Sequence, residues 1–145
     1  MALNLIKLCV GADSVEDLTD WIEMRQRERR ARGEPAEQIH TTRMTPKRGA
    51  EILDGGSLYW VIKGVVLCRQ PIIDLRAITD GEGIGRCQIV MEPQVVLTHP
   101  QPRRAFQGWR YLEPKDAPRD LAPARAGEAA LPPELSRELS ALGLL

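Results

Sequence analysis

A chain of 145 residues with 43% hydrophobic and 28% charged residues suits one globular domain, and no run in it approaches the roughly 18 apolar residues of a membrane helix. Twenty basic and twenty acidic residues cancel, which excludes a whole-molecule field that draws in polyanions and leaves nucleic-acid binding to a local patch. The charge is uneven: residues 40–110 hold ten basic and six acidic side chains, against six and eight before them and four and six after them.

Met1 to Val10 has no basic region ahead of its apolar stretch and no small-residue cleavage site after it, unlike a secretory signal. Three widely spaced cysteines, Cys9, Cys68 and Cys87, read as reduced thiols, so a cytoplasmic location is expected. Leu3 to Val10 reads as a short strand buried on both faces. Ser14 and Asp17 form a capping box that starts a helix from about Val15 to Arg32, with Val15, Leu18 and Ile22 on its apolar stripe. The second half of that helix, Arg25 to Arg32, is a solvated face with internal ion pairs.

Ile39 to Met44 suggests another strand. Thr45 and Pro46 then supply an N-cap and a first helical residue for a short helix to about Leu53, stopped by Asp54-Gly55-Gly56. From Ser57 the period changes to two, with Leu58, Trp60 and Ile62 on one face and Ser57, Tyr59, Val61 and Lys63 on the other. Strands follow at Val65 to Gln70 and Ile72 to Ile78, with Pro71 marking a bulge or an edge. Arg86 to Glu92 alternates, Cys87, Ile89 and Met91 inward and Val90 outward. Val95 to Thr98 and Ala105 to Leu112 complete the strands. Several consecutive strands with short turns imply an antiparallel, curled or barrel-like sheet. Residues 113–145 read as a Pro/Ala-rich surface tail ending in a short amphipathic helix, Glu134 to Leu142, which leaves 1–112 as the single α+β domain.

Two clusters carry the functional argument. Arg43, Lys47 and Arg48 surround the expected helix start near Thr45, where the macrodipole favours anions and basic side chains conflict with it. A phosphate or carboxylate ligand would relieve that conflict; pairing of Arg43 or Arg48 with Glu51 would do so equally. Further on, Arg103, Arg104 and Arg110 interleave with Phe106, Trp109 and Tyr111, as in stacking platforms for single-stranded nucleic acid or as in a packed strand-edge cluster. Gly81, Gly83 and Gly85 open no helix, so they read as turn chemistry and not as a dinucleotide loop. No metal-ligand spacing, nucleophile elbow or Cys–His signature is present, with His40 and His99 isolated and the cysteines far apart. No cofactor is expected.

The stretches Leu3 to Leu8, His40 to Arg48, Gly55 to Gly64 and Phe106 to Leu112 together make most of residues 1–120 similar to an uncharacterised alphaproteobacterial family, a domain of unknown function. More loosely, a short helix followed by Gly55-Gly-Ser-Leu-Tyr-Trp60 and consecutive strands resembles the PUA-like superfamily, with its ASCH and EVE branches. The lysine and glutamate pattern of the ASCH branch is absent, and Tyr59-Trp60-x-x-Lys63 follows the helix where an EVE motif would stand near the chain start. That likeness implies a small barrel with two or three helices, with Arg43, Lys47, Arg48, Tyr59 and Lys63 lining a cleft. The resulting expectation is a small non-enzymatic domain that binds RNA or a modified nucleotide through Arg43, Lys47, Arg48, Tyr59, Lys63, Arg104, Trp109 and Arg110. The alternatives are a small enzyme acting on a phosphorylated or anionic metabolite and a protein-interaction module. A membrane partner is not expected.

Overall fold

A computed structural model describes residues 2–121; the expected helix Glu134 to Leu142 lies outside them. The chain is α+β and mostly sheet. Strand β1 (Asn4–Leu8) leads into helix α1 (Val15–Ala31), which is followed by β2 (Gln38–Thr42) and the short helix α2 (Gly49–Leu53). Five more strands complete the sheet: β3 (Ser57–Ile62), β4 (Val65–Thr79), β5 (Gly85–Met91), β6 (Val96–Pro102) and β7 (Trp109–Leu112).

Helix α1 starts where its capping residues require. The Ser14 hydroxyl accepts the Asp17 N–H, and the Asp17 carboxylate reaches back to accept the Asp13 N–H at 2.9 Å, one residue earlier than in the usual box. Helix α2 starts later than the sequence suggests. Thr45 and Pro46 lie in the irregular stretch ahead of it, and the residue at the N-cap is Arg48, whose side chain makes no capping bond. The Thr45 side chain approaches the Cys87 thiol instead.

Between β3 and β4 the turn residues Lys63 and Gly64 both have positive φ, 49° and 80°. This is the left-handed pair a two-residue hairpin turn needs, and its twist matches the strands it joins. Lys63 therefore sits at the turn and not on the face of β3. Strand β4 is long enough to serve two neighbourhoods. Its first half pairs with β3 on one edge and β6 on the other, and its second half pairs with β5. The register shifts between Ile72 and Asp74, just past Pro71, where a bulge bends the strand.

The sheet order is β2-β5-β4-β3-β1-β7, with β6 beside β4. Two features depart from an all-antiparallel reading: β1 runs parallel to β3, and the path has two free ends, so the sheet is mixed and not closed. It is nevertheless strongly curled. Strands β2 and β3 stand three steps apart, about 14 Å along a flat sheet, yet the rings of His40 on β2 and Trp60 on β3 meet at 5.3 Å. The bend in β4 brings them together.

Both faces of the sheet are covered. The larger apolar cluster gathers Leu5, Leu58, Trp60, Ile62, Cys68 and Ile89 with Leu18 and Ile22 of α1. A smaller one on the opposite face joins Ile6, Tyr59, Val61, Val66 and Leu112. Val90, placed outward by strict alternation, is fully buried. Residues beyond β7 stay on the body of the protein: Pro114–Asp116 form a 3-10 turn, Asp120 bridges Thr98, and Leu121 is buried.

Candidate functional site

The structure divides the residues singled out in the sequence among three places. The first is the loop before α2. The phenol oxygen of Tyr111 accepts the backbone N–H groups of Lys47 and Arg48, at 3.0 and 3.3 Å. A phenol thus takes the donors an anion would have used there, and a five-residue helix offers little dipole. The Arg48 guanidinium forks onto Glu51 at 2.7 and 2.9 Å, reaches Glu113 at 3.4 Å, and lies over the Tyr111 ring. Those hydrogen bonds hold Glu51 below the usual carboxylate range. Arg43 and Lys47 are exposed and form no ion pair among the described residues. Trp109 donates its indole N–H to the Met44 carbonyl at 2.9 Å and stands edge-on to Tyr111.

The second place is the opposite face of the sheet. By register Tyr59 shares a side with Ile6 and Arg110, and it is buried in the smaller cluster. Arg110 lies over Phe106 and donates to the Gln107 and Trp109 carbonyls. Tyr59 and Trp109 therefore do not face one hollow. The third is the periphery: Lys63 reaches Asp13 at 3.8 Å, and Arg104 is exposed between β6 and β7.

A different concavity lies against helix α1. A cleft of about 800 Å³ opens between α1, the end of β1 and β2, lined among others by Lys7, Cys9, Trp21, His40, Trp60 and Gln70. Its floor is built from one face of the curled sheet. Lys7 pairs in register with Trp60 on one side and Trp109 on the other, so a half-buried lysine shares its face with two indoles. The Trp60 N–H is committed to Gln70 Oε1 at 2.8 Å, and the Gln70 amide to the Glu92 carbonyl at 2.9 Å. Above them Arg25 stacks on Trp21 at the rim, 4.6 Å from the ring centroid.

Two groups on this floor keep unspent bonding capacity. Lys7 makes no ion pair or hydrogen bond among the described residues. His40 Nε2 is buried without a hydrogen-bond partner, an arrangement native interiors rarely leave unexplained. Burial, helped by the Lys7 charge, pushes the His40 imidazole down to about 4, so the ring is neutral near pH 7. Burial raises the Cys9 thiol to about 11, which removes it as a nucleophile. Asp17 and Asp20 line the helix side of the cleft and make its charge bipolar. Among the described residues no group of His, Cys, Asp or Glu converges to hold a metal ion, and no helix is long and apolar enough to cross a membrane.

Sequence reasoning passed over both key groups. A lysine inside a strand otherwise read as buried was a usable signal for Lys7. His40 had none, because its neighbours come from β1 and β3.

A family model described as "Protein of unknown function (DUF1489)" matches residues 5–145. No curated protein and no solved structure matches the chain; the likeness to the PUA-like superfamily rests on the residues quoted for it.

Proposed function

The chain belongs to the DUF1489 family of proteins of unknown function, which brings no activity with it, and we propose from the cleft that this is a non-enzymatic binder of a nucleotide, free or as one unit of single-stranded RNA. The observation that carries the reading is the cleft floor, where Lys7 has no carboxylate among the described residues and lies beside a buried ring nitrogen without a partner. A cation without a counter-ion, set beside aromatic rings, offers an anionic ligand a charge-assisted hydrogen bond.

The rest of the cleft favours a ring attached to the anion. Its size is in the range of small-molecule sites, and Trp21, His40 and Trp60 give it aromatic walls. Asp17 and Asp20 repel a phosphate from the helix side, which directs it to the Lys7 end. Arg43, two residues beyond the lining residue Thr41, and Lys47 would extend the positive surface for a longer strand. A thiol held protonated and a weakly basic imidazole form no activated nucleophile, which supports binding over catalysis.

Calorimetric titration with the four ribonucleoside monophosphates and with short single-stranded RNA, across a salt series, tests this. Binding is expected at low salt, with a steeper salt dependence for RNA than for the mononucleotides. Replacing Lys7 with Met should weaken either ligand at least tenfold. No binding of any of these at low salt would overturn the reading.

A further inference from the structure

We infer that Trp21 is the residue on which the ligand's base stacks, so that the cleft holds a nucleotide at two points, the base against this indole and the phosphate at Lys7. The inference rests on the reading of the cleft as a nucleotide site. It assigns the base to the α1 wall, and it sets nucleotides apart from plain sugar phosphates, which would find Lys7 but use no platform.

Helix geometry puts the indole there. Side chains four positions apart lie one above the other on a helix, and Asp17, Trp21 and Arg25 form such a row on α1, all three lining the cleft. The stripe beside it, Leu18, Ile22 and Gln26, is buried against the sheet and fixes the row on the cleft wall. Trp21 nevertheless keeps 38% of its surface exposed, much for a residue type that is highly buried on average. Its ring is backed by a cation, the Arg25 guanidinium 4.6 Å from the centroid. Arg27 and Arg29, further along the helix, pair with Glu23 and Glu34, whereas Arg25 rests on the ring. The other two indoles do not serve: Trp60 is buried, and Trp109 is tied to the Met44 carbonyl and does not line the cleft. Val10, just past the end of β1, lines the same cleft and is 88% exposed. Two exposed apolar side chains from separate elements thus border one opening, where a flat ring would cover apolar surface. An exposed indole takes any base, since every base has a π-face.

The test compares Trp21→Ala and Trp21→Phe with the native protein at low salt, using a nucleoside monophosphate and ribose 5-phosphate as probes. The nucleotide should bind Trp21→Ala at least about fivefold more weakly, and Trp21→Phe, which keeps a ring, should recover most of the loss. Affinity for ribose 5-phosphate should be unchanged in both, whereas Lys7→Met should weaken both probes. Equal nucleotide affinity in native and Trp21→Ala proteins overturns the role of Trp21 and leaves the nucleotide reading standing. An equal loss of both probes also overturns it, because Trp21 would then shape the cleft without holding a base. No nucleotide binding by the native protein overturns that reading, and this inference with it. Should Trp21→Ala fold poorly, the ring-proton resonances of Trp21 in the native protein replace it: they should move on addition of nucleotide and stay in place with ribose 5-phosphate. Trp21 resonances unmoved by bound nucleotide are the contrary result.

Discussion

The phenol oxygen of Tyr111 sits 3.0 Å from the backbone nitrogen of Lys47 and accepts its N–H, fastening the loop before the second helix to the last strand. The same oxygen accepts the Arg48 N–H, so one side chain satisfies two donors that no helical carbonyl can reach. Tyr111→Phe should cost about 1 kcal/mol, because the site is partly exposed and water can replace the lost bonds. Urea denaturation would measure that loss, and amide exchange at Lys47 and Arg48 should speed up. Nucleotide affinity should not change, since neither bond belongs to the cleft.

Acid should destabilise this fold through His40 before it does so through the carboxylates. Burial holds the folded imidazole near 4, below its ordinary 6.5. The unfolded chain therefore takes up the proton first. The His40 contribution is complete above about pH 6.5 and is lost as the pH falls toward 4, by at most about 3 kcal/mol. Asp80 and Asp120 are held below the usual carboxylate range by hydrogen bonds, so their losses come at lower pH. From pH 7 to 4 the stability of the native protein should fall relative to that of His40→Phe by up to about 3 kcal/mol. Parallel curves would show that His40 is not neutral in the folded state.

Local signals in the sequence located most of these elements. Ser14 and Asp17 set the start of the first helix, and the alternation from Ser57 placed Leu58, Trp60 and Ile62 on the core face as observed. Interactions between distant segments were not legible. Thr45 has the chemistry of a cap, but it lies beside Cys87, 42 positions later, and the helix starts at Gly49. Strict alternation sent Val90 outward because nothing local reveals a second cover. The cleft was hidden for the same reason. It exists because β1 inserts parallel to β3 and β4 bends, and these two events bring Lys7, His40 and Trp60 together from three separated segments. The cations and rings near positions 45 and 109 did prove to be neighbours, fastened through Trp109 and Tyr111, while Tyr59 went to the other face.

Gly56→Ala should be among the most damaging single-methyl changes in the chain. A Cβ at this position would lie 2.2 Å from the Leu3 carbonyl oxygen and 2.6 Å from that of Ile52, both backbone atoms. The residue cannot move away to make room. Its N–H donates to the Ile52 carbonyl at 2.7 Å, and its own carbonyl accepts from Ile72 at 3.0 Å. Relief would need a shift of β1, the end of the second helix or the middle of β4, and all three border the core. A loss of about 3 kcal/mol or more is expected, measured by thermal or urea unfolding. An Ala variant within about 0.5 kcal/mol of native would show that the crossing of β1 over Gly56 is looser than described.

Lys7→Met separates stability from function in one substitution. The lysine stem already packs on the face shared by Trp60 and Trp109, and a methionine can fill much the same volume. What disappears is a charge with no counter-ion among the described residues, carried by a half-buried side chain. A methionine there adds apolar surface to the packing on that face, which favours the folded state. The ligand-free variant should therefore be more stable than the native protein by about 1 kcal/mol, while the thermal stabilisation conferred by nucleotide falls away. A protein selected for stability alone would not keep a lysine here, whereas one that has to hold an anion would. A less stable Met variant would mean that Lys7 supports the fold, and the cleft would lose its reason to carry a cation.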